Sequence, residues 1–118
     1  MSEHRVLLVV GQDGSVAGAL ETAPAVVIAD VQGLDVMRWQ MVRVGWDQDD
    51  PRDAPPHDRV CAFLSTRHVE AVVAGRVDRA LLHALDAMGV VVFQRAGVSA
   101  RAAAVSAASA LSFAQGTR

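Results

Sequence analysis

Residues Val6-Leu7-Leu8-Val9-Val10 are apolar without a break, and that run constrains the fold more than any other segment. A strand covered on one side alternates apolar and polar side chains. A strand buried on both faces does not alternate. The run starts after Arg5 and stops at Gly11-Gln12-Asp13-Gly14, which is turn chemistry. It predicts a central strand in a sheet layered on both sides. The 118-residue length fits one domain. At that size roughly two thirds of the unfolded surface can be buried, so a core forms without disulfides or structural metals.

A second strand is read at Pro24–Asp30, with proline at its start where a missing N–H is tolerated. Gln32-Gly33 makes a tight connection to a third strand, Leu34–Val44, paired antiparallel with the second. Met37, Trp39 and Met41 are apolar at odd positions, whereas Val42, Val44 and Trp46 are apolar at even ones. That change of phase predicts a β-bulge or bend near Met41-Val42. The polar stretch from Asp47 to Asp58 reads as a loop.

Helical spacing follows at Val60, Phe63, Leu64 and Arg67, with His57-Asp58 at the start. Val69–Ala74 is a fourth strand, ended by Gly75. Leu81, Ala84, Leu85 and Met88 mark a second helix, with Gly89 as its left-handed cap. Val90–Phe93 is a fifth strand. Ser99 is the N-cap of an alanine-rich helix from Ala100 to about Phe113. The order is β-β-β-α-β-α-β-α. Its second half calls for parallel strands with right-handed crossovers, and its first half is a meander. Ligands of such mixed sheets bind beyond the carboxyl ends of the parallel strands. Those ends are Gly11–Gly14, Gly75–Asp78 and Gln94–Gly97.

Composition removes several classes of chemistry. All eleven basic residues are arginine, so there is no lysine for a Schiff base or a P-loop. The one cysteine, Cys61, excludes an internal disulfide and a multi-cysteine site within one chain. A net charge of −2 argues against nucleic acid as a partner. No apolar run approaches the ~20 residues that span a bilayer, so no membrane role is expected. Met1–Arg5 leads straight into a short strand without signal-peptide features, which makes a cytoplasmic location the expectation.

The pattern resembles the dinitrogenase iron–molybdenum-cofactor biosynthesis family, small carriers and scaffolds for metal clusters in nitrogenase assembly. The resemblance covers about residues 5–110. It is strongest from Arg59-Val60-Cys61-Ala62-Phe63-Leu64, through Val69–Gly75, to Ala87-Met88-Gly89-Val90. Asp13-Gly14 and the Ala23-Pro24 step also fit. It implies a single ribonuclease-H-like α/β domain over residues 4–114, with a five-stranded mixed sheet and a short tail at 115–118. It also implies an iron–sulfur or iron–molybdenum cluster as cargo, and cluster donor or acceptor proteins as partners. Three places depart from the family. Ala19-Leu20-Glu21 replaces a histidine–aromatic–glycine step. Gly75-Arg76-Val77-Asp78 replaces a glycine-rich turn. Only His57 remains of the histidines around the long loop and helix start.

Candidate residues follow from both readings. Gln12, Asp13, Gly14, Gly75, Arg76, Val77 and Asp78 form the expected ligand site at the sheet edge. The amides opening the second helix, with Arg76 and Arg79, suit an anion. The alternative is that Asp78 caps that helix. His57 and Cys61, four residues apart on one helical face, are the expected metal ligands. The bland reading of Cys61 is a core side chain. His57 with Asp47, Asp49, Asp50 and Asp53 suits a divalent cation, against the alternative of a solvated loop. Asp13, Asp30 and Asp78 make only a weak nuclease pattern. No serine–histidine–acid set follows from spacing: His4, His68 and His83 are scattered. Met37, Trp39 and Met41 either mediate a homodimer or pack on the domain's own helix. The leading expectation is a non-enzymatic binding or carrier protein. The alternative is a ligand-free interaction or dimerisation module.

Overall fold

The computed structural model describes residues 3–44, 46 and 56–116. β1 (Glu3–Leu8) lies at the centre of the five-stranded sheet, in the order β3-β2-β1-β4-β5. It pairs antiparallel with β2 (Ala25–Gln32) and parallel with β4 (Ala71–Ala74). β3 (Asp35–Arg43) closes a hairpin on β2, and β5 (Val91–Gln94) runs parallel to β4. The helices are α1 (Pro56–Thr66), α2 (Arg79–Ala87) and α3 (Ala100–Gly116). This is the expected α/β architecture. None of the described helices is long and apolar enough to cross a membrane.

The unbroken apolar run has the expected cause. Leu7 and Val9 join one core with Val26, Val60, Leu64, Val72, Leu81 and Leu85, beneath α1 and α2. Val6 and Leu8 join a second core with Val27, Ala29, Val73, Ala104 and Ala108, beneath α3. Alanine along the inner stripe of α3 lets that helix lie close to the sheet.

Helix ends follow local chemistry. The Ser99 hydroxyl accepts from the Ala102 N–H at 3.4 Å, and its carbonyl from the Ala103 N–H at 2.9 Å. Gly89, at φ 82°, ends α2, and the Val90 N–H donates back to Leu85 at 3.0 Å. α1 ends the same way with a histidine in the left-handed position. His68 sits at φ 57° while the Val69 N–H donates to Leu64 at 3.0 Å.

The irregularity in β3 is not where the apolar phase placed it. Pairing is regular from Ala25↔Arg43 to Asp30↔Arg38, and the shift falls between Asp30 and Val31. Met37 is the additional residue there. No bulge is required at Met41-Val42, because the two ends of β3 are covered on different faces. Val36 and Trp39 pack on the α3 side, and Val42 and Val44 on the α1 and α2 side. Met88 departs from its expected inward place: it follows α2 and is 40% exposed.

Candidate functional site

After β4 the chain turns into α2 through Gly75–Asp78, and this turn is held from outside. The N–H groups of Gly75 and Arg76 both donate to the Gly18 carbonyl, at 2.9 and 3.2 Å. A Cβ on Gly75 would lie 2.9 Å from the Gly18 nitrogen and 3.0 Å from its oxygen, both backbone atoms. Glycine is therefore required by close approach. The Leu20 N–H donates to the Arg76 carbonyl at 3.1 Å. The buried Val77 donates its N–H to Gln94 Oε1 at 3.1 Å. The amides of residues 75–77 thus already have protein acceptors. The charged groups the turn offers to solvent are the exposed Arg76, Asp78 and Arg79.

Asp78 occupies the N-cap position of α2 but makes no side-chain cap hydrogen bond. Its Oδ2 lies 3.3 Å from His57 Nε2 instead, with both side chains partly open to solvent. Two predicted site residues, 21 positions apart, are thus brought together where α1 begins and α2 begins. Cys61 lies one turn further along α1, partly exposed and packed against the core beneath α1 and α2. Burial, with the Asp58 charge as a smaller cause, pushes its thiol above the ordinary range. That is opposite to the lowering expected of a helix start. The sequence placed Cys61 one turn into the helix but did not show how far its sulfur is withdrawn from water.

Beside this pair stands the short 3-10 turn Leu20–Thr22. Glu21 Oε2 is enclosed there and has no hydrogen-bond partner among the described residues. Glu21 belongs to the Ala19-Leu20-Glu21 step that stands where the resembled family carries a histidine.

Gln12–Gly14 turns the other way. The Gly14 carbonyl accepts from the Ala100 N–H at 3.1 Å, at the start of α3. Gln12 and Gly14 line an open cavity of about 400 Å³ with Trp39, Met41, Ser99 and Arg101. Asp13 Oδ1 accepts from the Ser15 hydroxyl at 2.7 Å and its N–H at 3.1 Å. Those bonds hold the Asp13 carboxyl below its usual range. The two halves of the expected edge site therefore serve opposite faces of the sheet.

Asp30 stands apart from both. It is 4% exposed and takes Arg5 Nε at 2.7 Å across the β1–β2 pair. Among the described residues no three histidine, cysteine or acidic side chains converge as a metal site. Asp47, Asp49, Asp50 and Asp53 lie outside the described residues. Of the scattered histidines, His68 ends α1 and His83 lines an open groove between α2 and β5. His4 is buried at the start of β1.

Neither a protein-family model nor a curated protein sequence matches the chain. Solved structures do. The crystal structure of PH0822 is 20% identical, with a TM-score of 0.60 over 75% of this chain and 74% of that one. The crystal structure of a protein from Methanocaldococcus jannaschii, MJ0327, described as a "putative dinitrogenase", is 8% identical. Its TM-score is 0.55 over 81% of each chain. The NMR structure of MJ0327 gives 0.52 at 9% identity, over 73% of this chain and 69% of that one. At these identities the likeness is one of fold, and what the chain shares with these proteins is the mixed α/β sheet.

Proposed function

We propose that the chain is a binding or carrier protein of the dinitrogenase iron–molybdenum-cofactor biosynthesis kind, one that holds its ligand without transforming it. The observation that carries this reading is the meeting of His57 with Asp78 beyond the carboxyl end of β4. The fold shared with the Methanocaldococcus jannaschii protein supports it. The donors limit how a cluster is held. Iron–sulfur clusters are gripped by thiolates, and burial, which pushes the Cys61 thiol up, disfavours that form here. The donors that fit and that meet in the structure are one nitrogen and one oxygen: the His57 imidazole and the Asp78 carboxylate. Such a set leaves positions on the cluster open, at which its donor or acceptor protein can take hold during transfer.

The test is anaerobic reconstitution of the purified chain with iron and sulfide. The expected result is visible absorption retained through gel filtration. His57→Ala lowers the retained iron at least tenfold, and Cys61→Ala lowers it less. No retained iron in the unaltered chain overturns the reading.

A second reading, a self-association module, is favoured by one observation. β3 is an edge strand, and Leu34, Met37 and Met41 along its hairpin are 78%, 59% and 66% exposed. Trp39 is instead half-buried, with the Arg101 guanidinium 4.8 Å from its ring centre. Exposed edges with large apolar side chains pair readily with other strands. Sedimentation then shows a dimer that Met41→Glu converts to monomer. A monomer across the micromolar range rejects this reading.

A further inference from the structure

The amino end of the sheet holds a group that sequence spacing does not reveal. His4, the second residue of β1, is 1% exposed. Its Nδ1 lies 2.9 Å from Glu70 Oε2, and its Nε2 lies 2.9 Å from Ser112 Oγ. The three residues come from the start of β1, the entry to β4 and the far part of α3. The Arg5 backbone N–H also donates to Glu70 Oε2, at 3.1 Å, and fixes that oxygen.

The hydrogen bonds set the imidazole tautomer. An ionised carboxylate only accepts, so Nδ1 carries the proton. Nε2 is then the acceptor of a hydrogen bond from the Ser112 hydroxyl. A nucleophile, a base in reach of it and an acid orienting the base are the parts of an activated serine. The exposure is divided accordingly: His4 is buried, whereas Ser112 lies on the exposed side of α3 beside Phe113, which is 75% exposed.

We propose that Ser112, with His4 as its general base and Glu70 as a positioning residue, is a nucleophile towards activated acyl esters. Ser112 Oγ attacks the ester carbonyl as its proton passes to His4 Nε2, and Glu70 stabilises the imidazolium. The bond to the leaving alcohol breaks, and that alcohol takes the proton from Nε2. Water then cleaves the acyl-serine by the same route and restores the hydroxyl. The N–H groups within an α-helix are occupied by its own carbonyls, so the oxyanion faces solvent. The substrate class is therefore esters with good leaving groups. This site is at the opposite end of the sheet from the carrier site and does not depend on it.

The experiment uses the whole folded chain and an alkyl fluorophosphonate. Ser112 Oγ forms a bond to phosphorus while fluoride leaves with the hydroxyl proton. Intact mass and peptide mapping are expected to show one adduct, on Ser112. Its formation is about 100-fold faster than on a serine without a base. Ser112→Ala abolishes it. Glu70→Gln slows it at least tenfold and alters its pH profile, while circular dichroism reports an unchanged fold. No adduct, an adduct that survives Ser112→Ala, or a rate and pH profile unmoved by Glu70→Gln overturns the proposal. Both variants keep His4 in place, so the outcome does not hinge on a destabilised core.

Discussion

Trp46→Ala is expected to lower the free energy of unfolding by about 3–5 kcal/mol, the range for removing a large buried aromatic. Trp46 is 3% exposed, and its ring meets Phe63 of α1 edge-on at 5.6 Å. Its Nε1–H donates to the Leu20 carbonyl at 2.8 Å in a buried bond. Alanine leaves a void under α1 and removes one of the two hydrogen bonds to the Leu20 carbonyl, which keeps the Ala23 N–H at 3.3 Å, and both terms act in the same direction. Trp46→Phe separates them. It keeps most of the packing, loses one hydrogen bond to a carbonyl that retains its Ala23 partner, and costs about 0.5–1.5 kcal/mol, the net contribution of one such bond. Urea titration followed by circular dichroism measures both. A loss under about 1 kcal/mol for alanine contradicts the packing described.

Gly75→Ala has the next largest expected effect, about 1–3 kcal/mol, the usual range for forcing a group into a filled space. The atoms that a Cβ meets belong to the Gly18 backbone, so no side chain can rotate away. The two connecting segments must part, and the bonds from Gly75 and Arg76 to Gly18 lengthen with them. Hydrogen exchange gives a sharper test than the melting curve. Faster exchange is expected at Gly75, Arg76 and Leu20, whereas the amides of α3 beneath the other face keep their protection. Uniform acceleration across the sheet indicates global destabilisation and contradicts a local role. Gly75 enters the site as the residue that permits close approach, and Asp78, which meets His57 of α1, stands at the end of the turn it allows.

Local rules made much of the fold legible. Val6–Val10 announced a strand with two covered faces, Gly89 and Ser99 marked helix ends, and β-α-β-α-β fixed the parallel half. β3 misled because an apolar pattern records which face is covered, and along β3 that face changes. A change of cover and a bulge leave the same trace in sequence, and only the register separates them. The site was less legible. Helical spacing related His57 to Cys61, yet the partner His57 meets is Asp78, which no periodicity connects to it. Spacing also pointed to Asp78 as a side-chain cap, and a tertiary contact took that carboxylate elsewhere. His4 and Ser112, 108 residues apart, meet only because α3 runs back to the start of β1.

That return of α3 also orders events during synthesis. β1 is made before β4, which follows some sixty residues later, and α3 comes after both. Nearly the whole chain must emerge before the lower face of the central strand has a cover, and contacts this distant in sequence slow folding. Until then Val6, Leu8, Val27 and Val73 present a continuous apolar surface. A nascent chain stalled before Ala100 is therefore a natural client for a holding chaperone.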